Sequence, residues 1–351
     1  MTTTTILLQA VRVLGLSMLG FVIAMSITPL VLRFIERYGI KKQIRSATEA
    51  PVFNSLHKQK AGTPTMGGII VWATVLGLAV ILLLFSAAFD GFWSYLNFVD
   101  RAQTYLPLFA MFLAALIGLL DDIYGARGIG PRGGGLTMRH RILIYFGLAL
   151  LGALWFYLKL DWNVLAIPFV GNIVVGWWYV PIFIFIIVAS AFSANETDGL
   201  DGLAGGVMLF AYVALTLVAF VLGRFDLAAM GGVVIGALLA FLWFNIYPAR
   251  FFMGDTGSMS MGITIGVIAM LTNTTLLLPL FVPIFVIESG SVIIQMFSKR
   301  FRGKKVFLST PIHHHFEALG WPETKVTMRF WIISIICVTL GIVLFFLNRF
   351  L

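Results

Sequence analysis

Apolar runs of about twenty residues recur along nearly the whole length of this chain, and little sequence is left between them. A run of that length crosses the roughly 30 Å hydrocarbon core of a bilayer as a helix. Hydrophobic residues make up 60% of the 351 and charged residues 11%, where an ordinary soluble domain carries about 25% charged. The chain therefore reads as an all-α polytopic membrane protein, one integral-membrane domain over 1–351. Spans are expected at about 8–33, 64–88, 104–121, 140–158, 179–195, 203–222, 228–247, 257–273, 277–298 and 329–348. No basic n-region precedes the first run, which outlasts a signal h-region, so it reads as a span and not as a cleaved signal. Cys337, the single cysteine, lies inside the last run and excludes an intrachain disulfide.

Ten spans place both termini on one side and make the linkers alternate. The odd linkers, with the span ends that border them, carry nineteen of the 24 lysines and arginines. By the positive-inside rule those linkers are cytoplasmic and both termini are outside, in the periplasm. Phe92-Trp93-Ser94-Tyr95 and Trp177-Trp178-Tyr179 then supply aromatic anchors on the outer face. Pro279 and Pro283 predict a kink in the ninth span. The net charge of +9 flanks the spans instead of forming one stripe. It suits anionic headgroups and phosphorylated substrates, and excludes nucleic acid as a partner.

Polar clusters punctuate the runs, and every one falls on an odd linker. Asp121-Asp122 ends the third span; adjacent carboxylates repel unless a cation intervenes, and Mg²⁺ is the usual partner of oxygen ligands that handle phosphates. A water-exposed acidic helix end is the plainer reading. Asn195, Asp198 and Asp201 are spaced i, i+3, i+6, which aligns them on one helical face; a polar turn is the alternative. Asp255, in Met253-Gly254-Asp255-Thr256-Gly257-Ser258, can cap the eighth span, turning backbone N–H groups toward a phosphate, or ligate a metal. His313-His314-His315 lacks the i, i+4 spacing of a helical zinc pair. In an extended segment His313 and His315 would share a side, to bind phosphate or position a base; a solvated loop is equally open. Lys60, beside a Gly-Thr-Pro-Thr turn, can reach a phosphate as a point charge. Glu288, deep in the ninth span, is costly to bury alone and calls for a cavity or a partner.

Five motifs in order carry a resemblance: Gly62-Thr63-Pro64-Thr65-Met66-Gly67-Gly68, Asp121-Asp122, Thr197-Asp198-Gly199-Leu200-Asp201-Gly202-Leu203, Phe252 to Ser258, and Pro311-Ile312-His313-His314-His315-Phe316-Glu317. Over nearly its full length the chain resembles the bacterial phospho-N-acetylmuramoyl-pentapeptide-transferases (translocase I), within the polyprenyl-phosphate N-acetylhexosamine-1-phosphate transferases. The resemblance implies about ten transmembrane helices, five cytoplasmic loops forming the active site, Mg²⁺ dependence and a homodimer in the bacterial inner membrane. The implied reaction moves phospho-N-acetylmuramoyl-pentapeptide from UDP to undecaprenyl phosphate, giving lipid I and UMP. It implies Asp255 as main Mg²⁺ ligand, with Asp121 beside it. Asp121 or Asp122 would act as base on the lipid phosphate or as covalent nucleophile. Lys60, Asp201, Asn245 and Phe252 are similar to the uridine pocket, Phe252 stacking on uracil. Thr65, Asn195, Asp198, Gln295 and the three histidines would line the remaining cleft. Where the family commonly carries a lysine, three residues after the acidic pair, this chain has Gly125, with Arg127 nearby. Glu196 and Phe192 also depart from the usual pattern.

Two rivals stand beside this reading. One is a related transferase that uses UDP-N-acetylglucosamine. The other is a cation-coupled transporter, which calls for ionisable groups at the bilayer midplane.

Overall fold

The computed structural model describes residues 2–39, 62–130 and 134–350. Its framework is helical: α1 (Thr3–Arg37), α2 (Ile69–Ala88), a short α3 (Phe92–Leu96), α4 (Tyr105–Ala126), α5 (Met138–Lys159), α6 (Tyr179–Thr197), α7 (Leu203–Val221), α8 (Phe225–Asn245), α9 (Gly254–Leu271), a one-turn α10 (Leu278–Phe281), α11 (Pro283–Arg302), α12 (Ile312–Ala318) and α13 (Glu323–Phe350). Eight of them, α1, α2, α4 to α8 and α13, are long and apolar enough to cross a membrane. The chain is a multi-pass membrane protein.

The two remaining expected spans are helical, but differ from lipid-facing spans for opposite reasons. In α9 every residue except Asp255 is buried. It is the axial helix of the bundle, packed against α2, α4, α6 and α7. Having no lipid face, it needs no apolar one, and its Ser, Thr and Gly residues allow close packing. Ser260 and Thr264 return their hydroxyls to the carbonyls of Thr256 and Ser260, at 2.6 and 2.7 Å. By contrast, α11 carries Glu288 inside and Lys299, Arg300 and Arg302 in its last turn.

Three expectations are corrected in detail. The kink expected from two prolines is a full break: α10 stops at Phe281, and Pro283 begins α11, where its missing N–H costs nothing. A two-stranded antiparallel hairpin, β1 (Val164–Ile167) with β2 (Gly171–Val174), interrupts an otherwise all-α chain between α5 and α6. Finally, α4 does not stop at the acidic pair but continues one turn further to Ala126.

The helix ends that matter meet at one end of the bundle. There the C-termini of α4, α6 and α8 face the N-termini of α2, α5, α7 and α9, joined by side-chain hydrogen bonds across these elements. Gly118 sets the spacing of α4 and α9, since a Cβ there would lie 2.6 Å from the Thr256 Cα. The hairpin sits at the opposite end, where Asn273, just past α9, accepts the Ala166 N–H at 3.0 Å.

Candidate functional site

The guanidinium of Arg141, in the first turn of α5, occupies the centre of the acidic cluster. Its Nε donates to Asp121 Oδ2 at 2.7 Å, one terminal nitrogen to Asp255 Oδ2 at 2.6 Å, and the other to Asn195 Oδ1 at 3.1 Å. The Asn195 amide nitrogen donates in turn to Asp255 Oδ1. Three sequence-distant elements are thereby tied to one cation in paired, charge-assisted geometry. The Asp121 side chain is fully buried, while Asp255 keeps 18% and Arg141 23% of their side-chain surface. Asp255 and Arg141 thus form the accessible mouth of the cluster.

Asp122 has a different task. Its Oδ1 accepts the Asp255 N–H at 3.1 Å and its Oδ2 the Thr256 N–H at 2.9 Å. Asp198, just past α6, accepts the Gly254 N–H at 3.0 Å. The first amides of a helix have no partner within it, and its N-terminus carries partial positive charge. Here two carboxylates from other elements cap α9 and fix where Asp255 points. Trp72 Nε1 donates to Thr256 Oγ1 at 3.1 Å, and that hydroxyl donates to the Ala115 carbonyl at 2.9 Å. The α9 terminus is therefore held from α2, α4 and the α6 end together.

The other expected site residues divide into neighbouring groups. Asn195 and Asp198 reach the acids, but α6 ends at Thr197, so Asp201 does not continue their face. Asp201 Oδ2 instead accepts the Ala249 N–H at 2.9 Å. Asn245 accepts from Gly202 N–H at 3.1 Å and donates to the Phe251 carbonyl at 2.8 Å. Phe252 is buried, and its backbone pairs with Pro64 and Gly67. The buried Thr65 lies against Gly254. Lys60 lies outside the described residues. Gln295 stands apart from the acids: its amide pins Val306 and Phe307, with bonds of 2.9 to 3.1 Å.

The histidines are helical, not extended, and point three ways. His313 is fully buried, with Nδ1 3.0 Å from Glu288 Oε1. Glu288 has the partner its burial required. His314 pairs with Glu317 at 2.7 Å, and His315 Nδ1 accepts the Leu308 N–H at 3.2 Å. A Cβ on Gly199 would collide with the His313 ring, so His313 packs on the turn that carries Asp198.

Arg141 is the site residue that the sequence reading passed over, counting it only among the basic linker charges. A basic residue one position past a predicted helix start, just beyond a glycine-rich loop, is the available signal. The loop itself serves the site: the Leu136 N–H donates to Asp121 Oδ1 at 2.6 Å, and Gly135, at φ +78°, leaves no room for a Cβ beside that oxygen.

Among the described residues no three His, Cys, Asp or Glu side chains form a ready-made metal cage. Mg²⁺ seldom needs one, because it commonly takes one or two carboxylates and completes its shell with substrate phosphates and water. Asp255 and Asp121 provide that donor set: hard oxygens, converging on one positive charge, with Asp255 at the mouth. The residues fit the ion.

Residues 104–273 match the family described as glycosyl transferase family 4. Among curated relatives, the phospho-N-acetylmuramoyl-pentapeptide-transferase of Chloroflexus aurantiacus is 36% identical over 94% of this chain and 89% of its own length. That of a Geobacillus species is 36% identical over 96% of the chain and 98% of its own. That of Bacillus velezensis is 34% identical over 92% and 95%.

Proposed function

Because this chain belongs to the phospho-N-acetylmuramoyl-pentapeptide-transferases, we propose that its chemistry takes place at the cluster of Asp121, Asp255 and Arg141. The chain is a membrane transferase of peptidoglycan synthesis. It moves phospho-N-acetylmuramoyl-pentapeptide from its UDP carrier to undecaprenyl phosphate, forming lipid I and releasing UMP. The observation that carries the site assignment is the convergence of acids from α4 and α9 on one guanidinium, at the end of the bundle where five sequence motifs also meet.

In this reading the donor's diphosphate lies at the mouth formed by Asp255 and Arg141. The lipid phosphate attacks the sugar-linked phosphorus in line with the departing UMP, and catalysis consists of positioning and charge stabilisation. Arg141, anchored by Asp121 and Asp255, offers fixed positive charge to the phosphoryl oxygens without having to reorganise. Asp255, with Asp121, would hold Mg²⁺, which supplies Lewis-acid charge to the diphosphate. Asp122 acts through Asp255: both its oxygens are engaged by α9 amides, so it sets the angle of that side chain. Asp121 is assigned to take a proton from the acceptor phosphate or to attack phosphorus itself, for which its Oδ2 has to part from Arg141. Asp201, Asn245 and Phe252 form the uridine side of the cleft, with Lys60 assigned to the same nucleotide by its motif alone, and the histidine helix with Thr65 and Asn195 borders the remainder.

The wider architecture in this proposal is one membrane domain of ten spans, α9 and α11 included. Both termini are periplasmic, and the site faces the cytoplasm in the bacterial inner membrane. A homodimer completes the assembly. The transporter alternative has lost its deep ionisable group, because Glu288 is spent on His313. UMP release by the full chain in vesicles with Mg²⁺ and undecaprenyl phosphate tests the site and the donor together. UDP-N-acetylmuramoyl-pentapeptide should be consumed and UDP-N-acetylglucosamine should not, and Asp255→Ala should abolish release. Full release by that variant would move the reaction elsewhere.

A further inference from the structure

A cavity of about 1190 Å³ opens toward the end of the bundle opposite the acids and narrows inward as far as Trp72, walled by α2, α4, α5, α6 and α9. It exceeds the roughly 300–1,000 Å³ typical of small-molecule pockets. It exists because α4 and α5 are held together near the site, through Arg141 and Asp121, and make few contacts elsewhere. Its lining is almost wholly apolar, and its depth is well defined. On α4 it runs from the turn at Arg101 to Leu113, on α9 from Leu271 inward to Ile263, on α5 from Leu160 inward to Leu148, and on α2, where it goes deepest, from Leu83 inward to Trp72, about 16 Å. At 1.5 Å per residue, Tyr105 to Leu113 covers about 12 Å and the whole of α4 about 33 Å. The cavity is thus about as deep as one leaflet's share of a 30 Å hydrocarbon core.

The mouth has the chemistry of a headgroup boundary. Arg101 and Tyr105 line it from the start of α4, and Trp155 lines the facing wall of α5. Among the described residues no carboxylate forms an ion pair with Arg101. Aromatic rings and a cation at the rim of an apolar, leaflet-deep slot complement a phosphate on an acyl chain. A water-filled slot lined by Leu, Val, Phe and Ile is disfavoured, since water needs two to four polar partners to enter.

We propose that this cavity is a binding site for an anionic membrane phospholipid from the leaflet opposite the active site, its phosphate at Arg101 and one acyl chain between α4 and α5. The lipid wedges open a gap that the protein's own side chains leave unfilled, and braces the helix that carries Asp121. The site differs from the acceptor lipid's in where the phosphate sits: the acceptor's must reach the acids, whereas Tyr105 at this mouth stands about 24 Å along α4 from Asp121.

Native mass spectrometry of the full-length protein, released from membranes in mild detergent and supplied with phosphatidylglycerol, tests this. Gly77 lines the cavity, and a Cβ there meets nothing within 4 Å. Gly77→Phe should therefore fill the slot without displacing backbone, and Ala110→Phe fills it from α4. Wild type should retain one phosphatidylglycerol per chain. Either filled variant should lose at least tenfold of that occupancy while still releasing UMP, which certifies its fold. Arg101→Gln should weaken retention of phosphatidylglycerol several-fold. Photo-crosslinking from a diazirine-tailed phosphatidylglycerol should label α4 and α5 at residues 101–113 and 148–160. Unchanged retention in both filled variants, labelling of this segment by a polyprenyl phosphate tail instead, or crosslinks here to a second copy of the chain would each overturn the assignment.

Discussion

At the scale of single residues, the proposed site gives some acids to the substrate and others to placing them. Arg141 joins Asp121, Asp255 and Asn195, so Arg141→Gln should fail twice. Turnover should fall by about 10²–10³, the usual effect of losing a preorganised donor at a developing charge. Thermal unfolding should also show a loss of about 3–5 kcal/mol, because Asp121 is left buried without its cation. Arg141→Lys restores charge but offers only one point of attachment, and should recover stability more than rate. Asp122→Asn isolates placement from chemistry. One amide oxygen can still accept from α9, but the amide nitrogen then confronts the other N–H. A capping loss of about 1–2 kcal/mol is expected, together with a large drop in kcat. Donor KM should stay near normal, because the residues proposed for uridine are untouched. A KM effect as large as the kcat effect would count against a positioning role.

At the scale of elements, the close approach of α4 and α9 is what turns two sequence motifs into one site. Gly118→Ala would drive a methyl into the backbone at Asp255 and Thr256. Overpacking of this kind costs about 1–3 kcal/mol, and turnover should fall although no functional group has changed. Wild-type turnover by this variant would mean that the two helices can part without disturbing the acids. The eight lipid-facing helices were legible because an apolar run of span length has few other fates. The acids were legible because carboxylates at span ends are expensive. Less legible were features set by partners the sequence does not announce. Asp122 caps a helix 133 residues away. The three histidines turn helical because His313 must reach Glu288 and His314 pairs with Glu317 one turn on. Asp201 leaves the face it was assigned because α6 ends before it. Arg141 was hidden among linker charges that all satisfy the positive-inside rule, so its special contact carried no excess signal.

At the scale of the molecule, everything proposed for the mechanism requires the acid end of the bundle to face the compartment that supplies UDP-linked donors. Nineteen of the 24 basic residues lie on or beside the odd linkers, which the positive-inside rule assigns to the cytoplasm. The structure adds that the acid cluster and the β-hairpin lie at opposite ends of α9. One set of labels can therefore read both faces. Cys337 is the single native cysteine and lies within α13, so Cys337→Ser gives a blank background. Val170, 70% exposed at the hairpin tip, and Lys305, exposed after α11, mark the two ends. In intact cells a membrane-impermeant maleimide should modify Val170→Cys and leave Lys305→Cys untouched until the inner membrane is opened. The contrast should hold while UMP release persists, since neither position touches the acids. The reverse pattern would put Asp121 and Asp255 on the face where no nucleotide donor is found, and the transfer reaction could not occur where these residues meet.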